Sequence, residues 1–146
     1  MFRNCSYSIF SFNFQALKHI VEMKKHFNLR NIKRLPVSGA FHTPLMAPVE
    51  EAIGNALKNV ELEEPLIGIH SNVDSKKYMH TKHIRRQLQK QVVGPVMWEQ
   101  TMGEIYQRKK DDSYPQTFEV GPGNQLGSIL KRYNMKAFGS YFKVDV

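Results

Sequence analysis

Of the six histidines in this chain, His42 has the surroundings most suited to chemistry. It lies in Leu35-Pro36-Val37-Ser38-Gly39-Ala40-Phe41-His42-Thr43-Pro44-Leu45-Met46. That stretch reads as a strand breaking at Ser38-Gly39, a tight loop, and the start of a helix. An imidazole at the carboxyl end of a strand, just before a helix, is where an α/β protein holds a working base. A lone histidine more often packs or caps the following helix. Gly39 and Ala40 favour the base, because small residues leave room for a ligand. A base also needs a nucleophile within reach and a nearby oxyanion hole. The sequence offers no Gly-x-Ser-x-Gly elbow. Cys5 sits in an atypical N-terminal stretch, and Ser38 is better placed to bond main chain. No residue of this chain is therefore assigned as nucleophile.

Other groups invite chemistry less. Gly121-Pro122-Gly123-Asn124-Gln125-Leu126-Gly127 lacks both the Gly-Lys-Ser/Thr ending of a phosphate loop and a dinucleotide fingerprint. It reads as a strand-to-helix turn. His70, His80 and His83 match no usual metal-ligand spacing, so solvated surface is the expected reading and no metal is assigned.

Helices and strands must position the base. Ala16, Leu17, Ile20, Val21 and Phe27 share one helical face, with Asn28 and Asn31 ending that helix. Lys33 to Ser38 is the strand entering the histidine loop. Leu45, Val49, Ile53, Ala56, Leu57 and Val60 form the stripe of the next helix, with Pro44 or Pro48 in its first turn. Pro65 to Ser71 is nearly continuous apolar sequence, the signature of a strand buried on both faces. Thr81 is expected to cap a helix running to about Val93, seamed by Ile84, Leu88 and Val92, with Gln91 beside the seam. Gly94-Pro95 breaks it. A helix from Trp98, ending in Arg108-Lys109-Lys110, precedes a strand at Thr117 to Val120. A last helix carries Leu126, Ile129, Leu130 and Tyr133, and Ala137 to Val144 is the final expected strand. Such alternation predicts an α/β fold with a mainly parallel sheet covered by helices.

The totals agree with one domain. There are 146 residues, 41% hydrophobic and 23% charged. One cysteine excludes an internal disulfide framework and suits a reducing compartment. A formal charge of +8 favours an acidic partner. No nucleic-acid motif appears and no apolar run is long enough to span a bilayer, so neither nucleic acid nor membrane is expected as a partner. Residues 1–13 are rich in Ser, Phe and Asn and free of acidic residues, but Arg3 is their only basic residue. They read as an atypical, poorly ordered leader rather than a convincing transit peptide.

Four segments carry a resemblance: Gly39-Ala40-Phe41-His42-Thr43, Ser71-Asn72-Val73-Asp74, Gln91-Val92-Val93-Gly94-Pro95-Val96-Met97-Trp98, and Glu119-Val120-Gly121-Pro122-Gly123. In order and spacing they resemble the acyltransferase family, most nearly its mitochondrial malonyl-CoA:acyl-carrier-protein transacylases. The resemblance runs from about Phe14 or Ala16 to the C-terminus. It implies the C-terminal half of an acyltransferase core of α/β-hydrolase-like type over 34–146. Residues 14–33 would be a remnant of the small ferredoxin-like subdomain.

The resemblance further implies ping-pong transfer of malonyl from malonyl-CoA to phosphopantetheinylated acyl carrier protein, in fatty acid synthesis in the mitochondrial matrix. No bound cofactor is implied. His42 matches the family's histidine, and Gln91 the position whose main-chain carbonyl orients it. Phe41 matches the residue whose bulk goes with malonyl over branched acyl groups, a steric bias of a few kcal/mol at most. The carrier protein is acidic, making Arg85, Arg86, Lys76, Lys77, Lys109 and Lys110 candidate contacts. The family's nucleophile elbow, oxyanion-hole glutamine and carboxylate-binding arginine have no counterpart here. The expectation is a truncated chain, inactive in malonyl transfer by itself and prone to aggregate. The alternative is a non-catalytic fragment that binds carrier protein.

Overall fold

The computed structural model describes residues 14–30, 32–107, 109 and 112–146. The expected leader with Arg3 and Cys5, and Asn31, Arg108 and Lys110, lie outside the described residues. The chain divides into two units, which among the described residues comprise 14–96 and 97–146.

In the first unit, α1 spans Phe14–Glu22, α2 Ala47–Lys58 and α3 Thr81–Lys90. α1 is shorter than its apolar stripe, and turns carry the chain on to Asn28. Asn28 takes a φ of 52°, the left-handed conformation that asparagine tolerates and that ends helices. No residue of α1 is buried. α2 packs against α3, and the Arg85 guanidinium of α3 donates to the Val60 carbonyl just beyond α2 at 2.6 Å.

Two expected strands are absent from this unit. Lys33 to Ser38 makes only a local turn bond, from Val37 N–H to the Leu35 carbonyl at 3.0 Å. Pro65 to Ser71 contributes one isolated antiparallel bridge, His70 to Lys77. A strand needs a ladder for its N–H and C=O groups, and among the described residues neither segment has a neighbouring strand. Their apolar side chains stay in solvent: Val37 is 64% exposed, Ile67 75%, and Leu66 fully.

After Ile69 the chain turns back on itself. Ser71 N–H bonds the Lys76 carbonyl and Tyr78 N–H the Ile69 carbonyl, both at 2.8 Å. Inside the turn Ser71 is wholly buried, and Ser75 adopts a φ of 63°. The cap of α3 is His80 rather than Thr81: the His80 Nδ1 accepts from His83 N–H at 3.2 Å. His80 has the extended conformation of a cap, which puts its ring over the first turn.

The second unit holds α4 (Trp98–Tyr106), β1 (Thr117–Val120), α5 (Gln125–Tyr133), α6 (Met135–Phe138) and β2 (Tyr141–Val144). β1 and β2 pair in parallel, Thr117 opposite Tyr141 and Val120 opposite Val144. Met102, Tyr106, Leu130 and Ala137 form the buried apolar cluster, with Trp98, Ile105, Ile129, Phe138 and Tyr141 against it. Period-3.6 patterning brings Trp98, Met102, Ile105 and Tyr106 to one face of α4, and Ile129 and Leu130 to one face of α5. The expected strand from Ala137 starts only at Tyr141. Its first part is helical because the Asn134 carboxamide caps α6, accepting from Lys136 and Ala137 N–H at 3.1 Å each. Elsewhere the stripes expected for α2 to α5 correspond to helices.

Candidate active site

The histidine loop is tied at several points. Thr43 Oγ1 donates to the Ala40 carbonyl at 2.7 Å and accepts from Leu45 N–H at 3.3 Å. Thr43 thereby caps a short 3-10 helix, Pro44–Met46, whose first residue has no N–H to satisfy. The loop then runs directly into α2. Thr-Pro ahead of an apolar stripe is a start signal that the sequence displays. His42 itself has a φ of 63°. A left-handed residue with a side chain costs on the order of 1 kcal/mol, so the loop must be held from outside.

α3 and its frayed end supply the hold. His42 N–H donates to the Val92 carbonyl at 2.8 Å, and His42 Nδ1 lies 2.8 Å from the Gln91 carbonyl oxygen. A carbonyl can only accept, so Nδ1 carries the proton in this bond. Neutral imidazole then leaves Nε2 with a free lone pair, the form a general base requires. His42 is exposed, and among the described residues no hydroxyl or thiol is hydrogen-bonded to it. Next to it the Phe41 ring lies close over Gly39, where an added Cβ would stand 3.3 Å from the ring edge. The structure therefore brings His42 and Gln91 together across 49 positions of sequence, with Phe41 on the same loop. Sequence reasoning missed Val92, whose role falls to its main chain and leaves no mark on residue type.

The three histidines weighed as metal ligands have local partners. His70 Nδ1 donates to the Ser75 carbonyl at 2.7 Å. His80 caps α3, and His83 Nδ1 accepts from Met79 N–H at 3.2 Å. Buried Gln87 spans Asp74, at 2.5 Å, and His83, at 3.0 Å. Among the described residues no group of three or more His, Cys, Asp or Glu could hold a metal ion.

The Gly121-Pro122-Gly123 turn joins β1 to α5, with both glycines at positive φ, 130° and 90°. The α5 N-terminus already carries an anion. The Glu119 carboxylate accepts from Leu126 N–H at 3.0 Å, Gly127 N–H at 2.8 Å and the Tyr141 hydroxyl at 2.6 Å. The Tyr141 hydroxyl, more than the helix amides, holds the Glu119 carboxyl below its ordinary value, against an opposing effect of burial. The same bond is the main reason that Tyr141 is pushed up to about 12. Sequence reasoning quoted Glu119 only as part of a motif. Its spacing ahead of a glycine turn and helix is the signal that could have found the cap.

Of the candidate basic contacts, Arg85 is engaged by the Val60 carbonyl. The Lys77 stem lies over Gly68, with its Cε 3.2 Å from where a Cβ would be. Lys109 N–H contacts the Asp112 carboxylate at 3.4 Å.

No protein-family model matches the chain. It is 52% identical over 132 residues to human mitochondrial malonyl-CoA-acyl carrier protein transacylase, an alignment covering 90% of this chain and 34% of the relative. The chain thus spans about a third of the length of the curated relatives it matches. Among solved structures it is similar to the acyl-carrier-protein S-malonyltransferase of Bartonella henselae: TM-score 0.74, 28% identity, 89% of this chain and 40% of that one. A malonyl-transacylase in complex with its type II PKS acyl-carrier protein aligns with a TM-score of 0.72 at 25% identity, over 91% of this chain and 40% of that one. These similarities agree with the resemblance carried by the four segments, and with a partial α/β acyltransferase fold.

Proposed function

We propose that this chain is the histidine-bearing part of a mitochondrial malonyl-CoA-acyl carrier protein transacylase, with 34–146 belonging to the C-terminal part of its acyltransferase core and 14–33 to the small subdomain. The reaction moves malonyl from malonyl-CoA to the phosphopantetheine thiol of acyl carrier protein. The observation that carries this reading is the 2.8 Å contact between His42 Nδ1 and the Gln91 carbonyl, within a sequence 52% identical to a relative of that name.

His42 Nε2 takes the proton of a serine hydroxyl as the oxygen attacks the malonyl thioester. The C–S bond breaks, and Nε2–H returns the proton to the departing CoA thiol. In the second half the same nitrogen takes the proton of the carrier thiol, and the serine oxygen leaves with it. The Gln91 carbonyl holds the imidazole in the required tautomer and stabilises the imidazolium formed between the steps. The serine, the oxyanion hole and the arginine for the malonyl carboxylate come from the part of the relatives' length that this chain does not match. Serine–histidine chemistry calls for no bound cofactor. Phe41 occupies the space an α-methyl group would need, and the net charge of +8 suits an acidic carrier protein.

The test is a chimaera in which this chain replaces the matching third of the human relative. It transfers malonyl from CoA to holo carrier protein, and His42→Ala lowers the rate by about 10²–10⁴-fold. Equal activity of the chimaera with and without His42 would falsify the assignment. A second reading, a carrier-protein binder without catalysis, draws on the same charge and on the solved carrier complex. Salt-sensitive carrier binding, with an inactive chimaera, would select it.

A further inference from the structure

We propose that Pro95 is a positioning residue for His42, acting by the amide hydrogen it lacks. The inference deepens the proposed function, since it rests on His42 being the base.

The hydrogen bonds at the end of α3 lead to it. Gln91 N–H bonds the Gln87 carbonyl at 3.0 Å, and Gly94 N–H bonds the Lys90 carbonyl at 2.9 Å. Val93 N–H shares the same Lys90 carbonyl at 3.2 Å, a three-residue bond, and the four-residue spacing recurs at residue 94. The next donor in that series would be the amide of residue 95, and its acceptor the Gln91 carbonyl. Residue 95 is proline and has no N–H. The Gln91 carbonyl is therefore left without the helical partner that chain continuation would have given it. His42 Nδ1 takes that place at 2.8 Å, while His42 N–H takes the neighbouring Val92 carbonyl, also at 2.8 Å.

Two carbonyls from one broken helix end thus hold one residue at both its main chain and its ring. The identity of residue 91 is immaterial to this device, because the acceptor is main chain. The identity of residue 95 is not, because every other amino acid brings an amide that competes for the same oxygen.

The experiment reads the imidazole directly. In the full chain with ¹⁵N-labelled histidine, nitrogen NMR distinguishes a protonated ring nitrogen from a bare one. Wild-type His42 shows Nδ1–H and a bare Nε2. In Pro95→Ala the new amide competes for the Gln91 carbonyl, and the ratio of Nδ1–H to Nε2–H tautomer falls about fivefold, as expected for loss of one ordinary hydrogen bond. Pro95→Gly, which imposes no side chain, shifts the ratio in the same direction. Val96→Ala, beside the break, leaves it unchanged.

The proposal is overturned if both Pro95 variants keep the wild-type ratio, or if Val96→Ala moves it equally. It is also overturned if both Pro95 variants lose the folded spectrum, since proline would then serve the fold rather than the histidine. The readout needs no transfer activity. A shifted tautomer alongside a chimaera indifferent to His42→Ala would retain the device and discard the catalytic reading.

Discussion

The two units use the same hydrogen-bonding principle with opposite polarity. In 14–96, the Gln91 carbonyl holds the His42 ring and the Val92 carbonyl its main-chain N–H, and among the described residues the other ring nitrogen has no hydrogen-bond partner. In 97–146, a side-chain carboxylate, Glu119, holds main-chain amides of α5 and the hydroxyl of Tyr141. Their interiors differ in the same sense. Among the described residues, those buried in the first are Ser71, Ser75, Ile84 and Gln87, mostly polar. In the second, Met102, Tyr106, Leu130 and Ala137 form an apolar cluster. On the function proposed for His42, a held group that reacts needs an open partner site. A held group that only fixes a turn can spend all its bonds internally.

Leu130→Ala is expected to have the largest effect on stability. Leu130 is 3% exposed in the apolar cluster, and removing it costs about 2–5 kcal/mol. Ile84→Ala, in the unit whose other buried residues are polar, falls at the low end of that range. Denaturant unfolding of both variants checks the ranking, and equal losses would erase the contrast between the two interiors.

Gly127→Ala comes next. A methyl there meets the Tyr141 ring well inside contact distance. The ring must shift, at about 1–3 kcal/mol, and the Glu119 bond weakens with it. A lowered unfolding midpoint, accompanied by a Tyr141 hydroxyl that ionises more readily, is the expected pair of readings.

The subtlest effect is on pH dependence. The Glu119 value is lowered by folding, so its contribution is present above the unfolded carboxyl value and lost as pH falls through the folded one. Tyr141 is raised to about 12, so its contribution is present below the unfolded phenol value of about 10 and lost as pH rises from there through about 12. Thermal midpoints measured across pH should therefore decline on both limbs. Glu119→Gln flattens the acid limb and Tyr141→Phe the alkaline one. An unchanged acid limb in Glu119→Gln would mean that the carboxylate does not fix the turn.

Much of this was legible because helices and loops advertise themselves locally. The stripes of α2, α3, α4 and α5 follow from spacing alone, and Thr43-Pro44 marks a helix entry. His42 stood out through its small neighbours and its place before a helix. The strands at Lys33 to Ser38 and Pro65 to Ser71 were misread for a physical reason. A continuous apolar run says that a segment suits a buried strand, while a strand exists only where a neighbour completes its ladder. The helix α6 was hidden by Ala137 and Phe138, which fit either state, and was decided by the Asn134 cap. His80 was passed over as a cap because threonine beside it has the stronger preference. Of the hold on His42, Gln91 is legible only through the family resemblance and Val92 not at all, since both acceptors are carbonyls that every residue possesses.

The parallel pair β1–β2 has a consequence for the order of folding. Thr117 meets Tyr141 across 24 positions, and α5 and α6 lie between them. Helices form from near neighbours in about a microsecond, whereas a pairing between distant positions waits on closure of the intervening chain. The strands therefore meet only after the crossover helices have shaped the path. The Glu119–Tyr141 bond reaches across that pair, so it is among the last to close, and the phenol reports when this part of the chain has finished folding.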